Sequence, residues 1–228
     1  MNASATAVRE AFHVEAALLS SGMSGLGEAD FDRPTRCTPW AVRDLLAHVC
    51  VGAGRLLPML AESAPPHATV DAPRYFAAEK FEADTDTARI QGAQRAAAEA
   101  TSGRMLAGDL DRVGREVCAA LASVPSDRVV RTRHGDAMTV TEFLKTRVVE
   151  LGVHGLDLAA AMNRPPWLSS QAAAVIVDVL ADDHERPVRE RLGWDRRMLI
   201  EKTTGRAPIT DDERLTAERL GLRWLTFG

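Results

Sequence analysis

Three side chains from two distant segments of this chain could act at one point: His48, Glu150 and His154. Glu150 and His154 are four residues apart, so on one helix they lie on the same face and their ends can converge on one ion. Two imidazole nitrogens and a carboxylate oxygen are a donor set that suits zinc. A catalytic zinc site commonly keeps three protein ligands and one open position. Arg147 and Asp157 share the stripe. Arg147, Glu150, His154 and Asp157 fall within roughly 80° of one another around a helix at about 100° per residue. The same segment carries Phe143, Leu144, Val148, Val149, Leu151, Val153, Leu156 and Leu158, so a solvated outer face alone does not predict four ionisable groups there. The bland reading is a surface Glu–His pair on an amphipathic helix, and Glu-x-x-x-His by itself is a weak signal. Arg147 is read as an anion contact or as the group that orients Glu150, with a plain salt bridge as its alternative. Asp157 is read as the acceptor that orients a ligating histidine, with a structural helix contact as its alternative.

The elements that must position these residues are helices. The spacing predicts a first helix over 5–26 and a second from Thr38, with Pro39 in its first turn, to about Ala61 with a kink at Pro58. A Pro-rich connection over 62–85 suits a crossover between parallel neighbours in a bundle. A third helix is broken by Thr101-Ser102-Gly103 into parts over 86–100 and 106–124. A short hairpin is expected around His134-Gly135-Asp136. A fourth helix opens with the capping box Thr139 and Glu142 and runs to about Met162, where Asn163 and two prolines stop it. If the second and fourth helices are antiparallel neighbours, His48 stands roughly 14 Å from one end and His154 roughly 12 Å from the other, at nearly the same level. Residues 164–228 are expected to form a helical extension packed on a metal-binding bundle over 1–163, with one helix over 169–181 and another begun by the capping box Thr210 and Glu213.

Composition bounds the function. Hydrophobic residues make up 46% and charged residues 26%, and the formal net charge is −4. That balance argues against a nucleic-acid partner and gives no electrostatic reason to sit on an anionic membrane. No stretch reads as a membrane span or a signal peptide. Cys37, Cys50 and Cys118 form no disulfide framework, and the expected location is the cytoplasm.

The run Thr38-Pro39-Trp40-Ala41-Val42-Arg43-Asp44-Leu45-Leu46-Ala47-His48 resembles the first signature of the DinB-like, mycothiol-dependent maleylpyruvate isomerase family. Thr139-Val140-Thr141-Glu142-Phe143-Leu144 and the run from Arg147 to Ala159 resemble its second. Thr204-Gly205-Arg206-Ala207-Pro208-Ile209-Thr210 is similar to a segment near the C-terminus of many members. The resemblance implies an all-α, DinB-like four-helix bundle with additional C-terminal helices. It implies His48, Glu150 and His154 as the ligands of a divalent metal, and mycothiol as the cosubstrate. Two neutral histidines and one glutamate leave zinc with net charge +1, which favours ionisation of a thiol. The reaction it implies is attack of that thiol on a small electrophile, by cis–trans isomerisation through an adduct or by S-transfer. Two departures bear on the substrate. Ala88-Arg89-Ile90-Gln91 lacks the Arg-Asn pair common in the family, and the C-terminal segment does not match the separate second domain of the founding isomerases. Two other readings stand beside this one: a metal-dependent hydrolase or lyase that uses water as nucleophile, and a non-catalytic, metal-stabilised binding module. The chain is expected to be a monomer or homodimer.

Overall fold

A computed structural model describes residues 4–76 and 83–225. It is mostly helical, with one two-stranded ribbon among the described residues. The bundle is made by α1 (Ala5–Ser24), α2 (Val42–Gly54), α6 (Gly103–Leu121) and α7 (Val140–Ala161). Contacts fix their directions. The Arg9 guanidinium near the start of α1 donates to the carbonyls of Leu121 and Val124, and Ser20 near its end donates to Ala107, so α1 and α6 are antiparallel. Cys50 lies against Leu106 and Gly54 backs onto Val113, so α2 and α6 are parallel. His48 meets Glu150 and Gly52 meets Arg147, so α2 and α7 are antiparallel.

Two parallel neighbours need a crossover, and residues 55–102 supply it. The segment holds α3 (Leu56–Ala61), α4 (Ala72–Tyr75) and α5 (Ala83–Glu99), of which α5 lies along α2. The break between α5 and α6 falls where Thr101-Ser102-Gly103 predicts it, and Ser102 caps α6 by accepting from Met105 N–H. Part of the expected 62–85 connection, residues 77–82, lies outside the described residues.

Three local expectations change. The second helix starts at Val42, with Ala41 as its N-cap, and not at Thr38. Residues 35–41 make a turn of their own: Trp40 N–H donates to Cys37 O, Thr35 Oγ1 donates to Trp40 O, and the Thr38–Pro39 peptide is cis. Asp44 then accepts from Ala41 N–H at the true helix start. The kink assigned to Pro58 appears one turn earlier, as the break between Gly54 and Leu56. Pro58 has no N–H to give to the carbonyl four residues back, that of Gly54. Thr139 caps α7, but the Glu142 carboxylate turns instead to Ala72 N–H and Lys145. The box at Thr210 and Glu213 is complete and opens α11 (Asp211–Arg219).

The hairpin forms from β1 (Val129–Arg131) and β2 (Ala137–Thr139), paired antiparallel around Gly135. After α7 come α8 (Ser170–Ala181), α9 (Glu185–Leu192) and α10 (Arg196–Thr203); the last two were not read from the sequence. One apolar core runs through all of this, from Phe12, Leu46 and Val149 to Ile176, Ile200 and Leu225. At its centre α7 is buried on nearly every side. Two glycines let neighbours approach it. A Cβ at Gly152 would lie 2.5 Å from Ile176 Cδ1, and one at Gly155 would lie 2.6 Å from the Trp167 carbonyl oxygen.

No membrane span is expected from the sequence, yet by length and composition the Val42–Ala61 stretch could cross one. In the fold it is split after Gly54, carries Arg43, Asp44, His48 and Arg55, and turns Leu45, Leu46 and Val49 into the core.

Candidate metal centre

The antiparallel contact of α2 and α7 brings His48, Glu150 and His154 together. Nε2 of His48 and Nε2 of His154 each lie 3.3 Å from the same Glu150 Oε2. Ligands about 2.05 Å from a tetrahedral zinc stand about 3.3 Å from one another, so the separations suit an ion between them. All three donor atoms lie within 4.8 Å of one another. His154 is buried, at 1% exposure, while the His48 and Glu150 side chains are 18% and 17% exposed. The centre is therefore closed toward the core and open on the His48 side. The His48 ring packs on Trp40, with ring centres 4.8 Å apart, and that fixes one of its faces.

Behind His154 the structure places Asp157, with no exposed side-chain surface. Asp157 Oδ2 lies 3.1 Å from His154 Nδ1. The same oxygen accepts from Cys37 Sγ at 3.2 Å. Arg206 closes on the carboxylate as a fork, Nε to Oδ1 at 3.1 Å and Nη2 to Oδ2 at 2.8 Å. An oxygen with these donors around it acts as an acceptor, so a neutral His154 carries its proton on Nδ1 and has its lone pair on Nε2. That lone pair then points at the carboxylate oxygen of Glu150. The conflict is resolved by a proton on Nε2 or by a metal ion between the two groups, so the donor set fits a divalent cation.

Charge in the absence of an ion is arranged accordingly. Burial raises the Glu150 pKa, but hydrogen bonds from His154 and His48 and the charge of Arg147 outweigh it and hold the carboxyl well below its ordinary range. Burial lowers the His154 pKa, but Asp157, Cys37 and Glu150 outweigh it and push the imidazole well above its ordinary value. Burial dominates at His48, whose pKa falls to about 4 despite Glu150. For Asp157, His154 and Arg206 overcome burial and drive the pKa down.

Cys37, His154 and Asp157 also cluster closely enough to hold an ion. There the cation is already present, because the Arg206 guanidinium occupies the Asp157 carboxylate. The Nε2 side of His154 is the side left for a metal.

Arg147 is buried and does not touch Glu150. Its Nε donates to Thr146 Oγ1, and its two Nη atoms lie against Gly52 O and the Tyr75 hydroxyl. The guanidinium rests on the Phe143 ring, 4.9 Å from its centre. Its effect on Glu150 is through charge alone. The surface beside His48 was not read from the sequence. A cavity of about 270 Å³ is lined by His48, Val51, Arg55, Arg89 and Arg133. A second, of similar volume, shares Arg55 and Arg133 and adds Tyr75 and Phe143. Neither Arg55 nor Arg133 pairs with a carboxylate among the described residues. A larger cavity, of about 690 Å³, lies between α1, α8 and α9 and touches none of the candidate ligands.

Cys37 and Arg206 also went unassigned in the sequence. Cys37 precedes the Thr38–His48 run and was read only for disulfide pairing. Arg206 sits in the Thr204–Thr210 run, which carried a resemblance but no role.

Residues 12–159 match the mycothiol maleylpyruvate isomerase N-terminal domain family. The chain belongs to this family. No curated protein matches the chain in sequence. The fold is similar to one reported as the crystal structure of the mycothiol-dependent maleylpyruvate isomerase. The TM-score is 0.54 at 16% identity, over 83% of this chain and 72% of that one. At that identity the likeness is one of fold, and it agrees with the all-α, DinB-like bundle. The family match runs from α1 into α7 and contains His48, Glu150, His154 and Asp157; Arg206 lies outside it.

Proposed function

We propose that this chain is a metal- and mycothiol-dependent enzyme that acts on a small anionic electrophile, by isomerisation or by S-transfer. The observation that carries the reading is the convergence of His48, Glu150 and His154 on one point in a member of this family, with His154 Nδ1 already committed to Asp157. A divalent ion, with zinc the best fit to these donors, would supply the positive charge that lowers a thiol's pKa and holds its sulfur.

The chain's own groups divide the rest. Glu150 provides the negative charge of the ligand set, and His154, His48 and then the charge of the buried Arg147 favour its ionised form. Trp40 and Asp157 hold the two imidazole rings. Arg55, Arg89 and Arg133 line the cavity beside His48 and suit a carboxylate on the electrophile. If the thiolate adds to a double bond conjugated with a carbonyl, the electron pair moves onto the carbonyl oxygen and the former double bond turns as a single bond; return of that pair expels the thiolate and restores the double bond with opposite geometry. If the thiolate instead displaces a leaving group, the thiol is consumed. The three cysteines are free, in keeping with the reducing cytoplasm where such a thiol is found.

The test is metal analysis of the purified protein, then turnover of an unsaturated carboxylic acid with and without mycothiol. Activity that needs both metal and thiol is expected. Full turnover by metal-loaded enzyme in the rigorous absence of thiol would sink the thiol reading and favour hydrolysis. Isomerase and transferase separate by whether thiol is recovered.

A further inference from the structure

The proposed ligand set gives the Thr204-Gly205-Arg206 run no part, yet the run ends against the support of a ligand. The Arg206 side chain is 4% exposed and Asp157 is fully buried. The fork of two hydrogen bonds fixes both the position and the plane of the Asp157 carboxylate. Oδ2 is thereby set opposite His154 Nδ1, where it decides which imidazole nitrogen carries the proton. The backbone around Arg206 has anchors of its own. Arg206 N–H donates to Glu201 O, Arg36 donates to Arg206 O, and Gly205 at φ +75° makes the turn. The turn therefore keeps its backbone bonds when the fork is lost, whereas Asp157 is left with the longer 3.5 Å contact from Arg36 on Oδ1 and with Cys37 and His154 on Oδ2, none of which is a two-bond fork that sets the carboxylate plane.

We infer that Arg206 is a positioning residue for the metal centre. It clamps Asp157 so that His154 presents Nε2 to the ion, and the C-terminal extension thereby completes a site whose ligands all lie in the bundle. The inference rests on the metal reading above. It differs from a docking role in what it predicts: loss of the fork loosens the ligand, not merely the extension.

The experiment uses the full chain and zinc alone as probe, with affinity measured by competition against a chelator. Arg206→Met keeps most of the side-chain volume and removes the fork, and it should weaken zinc about 10- to 100-fold. Arg206→Lys keeps the charge without the planar fork and should recover only part of that loss. In an Asp157→Asn background, Arg206→Met should add little, because the two act as one unit. Arg196→Ala is the control. It breaks a comparable two-bond pair with Glu185 inside the extension that has no path to His154, and zinc affinity should hold. If Arg206→Met lowers the melting temperature yet binds zinc as tightly as the parent, Arg206 is a docking residue and the inference is wrong. Equal losses in Arg206→Met and Arg196→Ala would overturn it as well. If Arg206→Met does not fold, Arg206→Lys carries the test, and an unchanged affinity there is a refutation. A parent protein that takes up no zinc refutes the metal reading itself and this inference with it.

Discussion

An ion held by His48, Glu150 and His154 would tie α2 to α7 across 102 residues of sequence, and the tie should show as thermal stability. A ligand that binds only the folded chain adds about 2.7 kcal/mol at 100 times its Kd and about 4.1 kcal/mol at 1,000 times. For a chain of this length each kcal/mol moves Tm by about 2–4 °C, so zinc should raise Tm by about 5–16 °C over the chelated protein. His48→Ala is the cleaner removal. Its side chain is 18% exposed and stands at the open edge, whereas His154 is 1% exposed and its loss also opens a hole beside Asp157. Circular dichroism melts in excess chelator and in a zinc series, at one protein concentration, give the readout. The parent should shift and His48→Ala should stay close to its chelated Tm, because two ligands hold zinc poorly. An equal zinc shift in both proteins would show that the ion sits elsewhere. No shift in the parent would show that these donors do not gather an ion at all.

The substrate reading predicts that Arg55→Met and Arg133→Met each raise KM for a carboxylate substrate about 10-fold or more, since a hydrogen bond to a charged group contributes about 1.5–3 kcal/mol. An equal rise for an uncharged analogue would remove the argument. Gly155→Ala sets a methyl 2.6 Å from a backbone oxygen that cannot swing away. Overpacking of this kind costs about 1–3 kcal/mol, so Tm should fall. Gly108→Ala, which meets nothing within 4 Å in the middle of α6, should raise it through helix propensity, by about 1 kcal/mol at most. Glu15 is fully buried, its Oε1 has no partner, and burial raises its pKa despite the bonds from Ser169. A raised carboxyl stabilises the fold below its unfolded pKa and loses that contribution as pH climbs through the folded value. Urea unfolding of Glu15→Gln should therefore match the parent near pH 4 and exceed it at neutral pH. A gap that does not grow with pH would contradict the assignment.

What the sequence disclosed, and what it hid, follows from the range of each interaction. Glu150 and His154 were legible because one helical turn separates them and the helix itself guarantees that they meet. His48 was legible less securely. Counted from Pro39, His48 and His154 stand level, but the helix begins at Val42, three residues and about 4.5 Å later. His48 still meets His154 because the ends of α2 and α7 need not be flush. The i,i+4 pair and the antiparallel packing were thus the stronger reasons. The start of α2 was misread because Thr38-Pro39 has the chemistry of a helix opening, as Ala41 and Asp44 also do. Only the turn held by Thr35 and Trp40 decides between them. The eight-residue helices α9 and α10 left too short a pattern, burying Val188 in one and Leu199, Ile200 and Thr203 in the other. The Asp157–Arg206 fork spans 49 residues and two unrelated elements. No local period announces such a pair.

The same distinction separates what the site must keep from what it can change. Glu150 and His154 stand on a helix buried on nearly every side, and His48 faces them from its packed neighbour, so the geometry of these candidate ligands is tied to the core and resists alteration. The arginines beside His48 lie on other elements, and one of them, Arg89, sits over the Trp40 ring, 4.7 Å from its centre. Arg55 stands at the break after α2, Arg89 on the crossover helix α5, and Arg133 in the turn between β1 and β2. Arg55 and Arg133 can be exchanged without repacking the bundle, since each lies on a connection. On the function proposed above, the buried helices would hold the metal centre, while the choice of electrophile would fall to side chains on three separate elements. On that reading, the positions of Arg55, Arg89 and Arg133 are where members of this family would diverge in substrate.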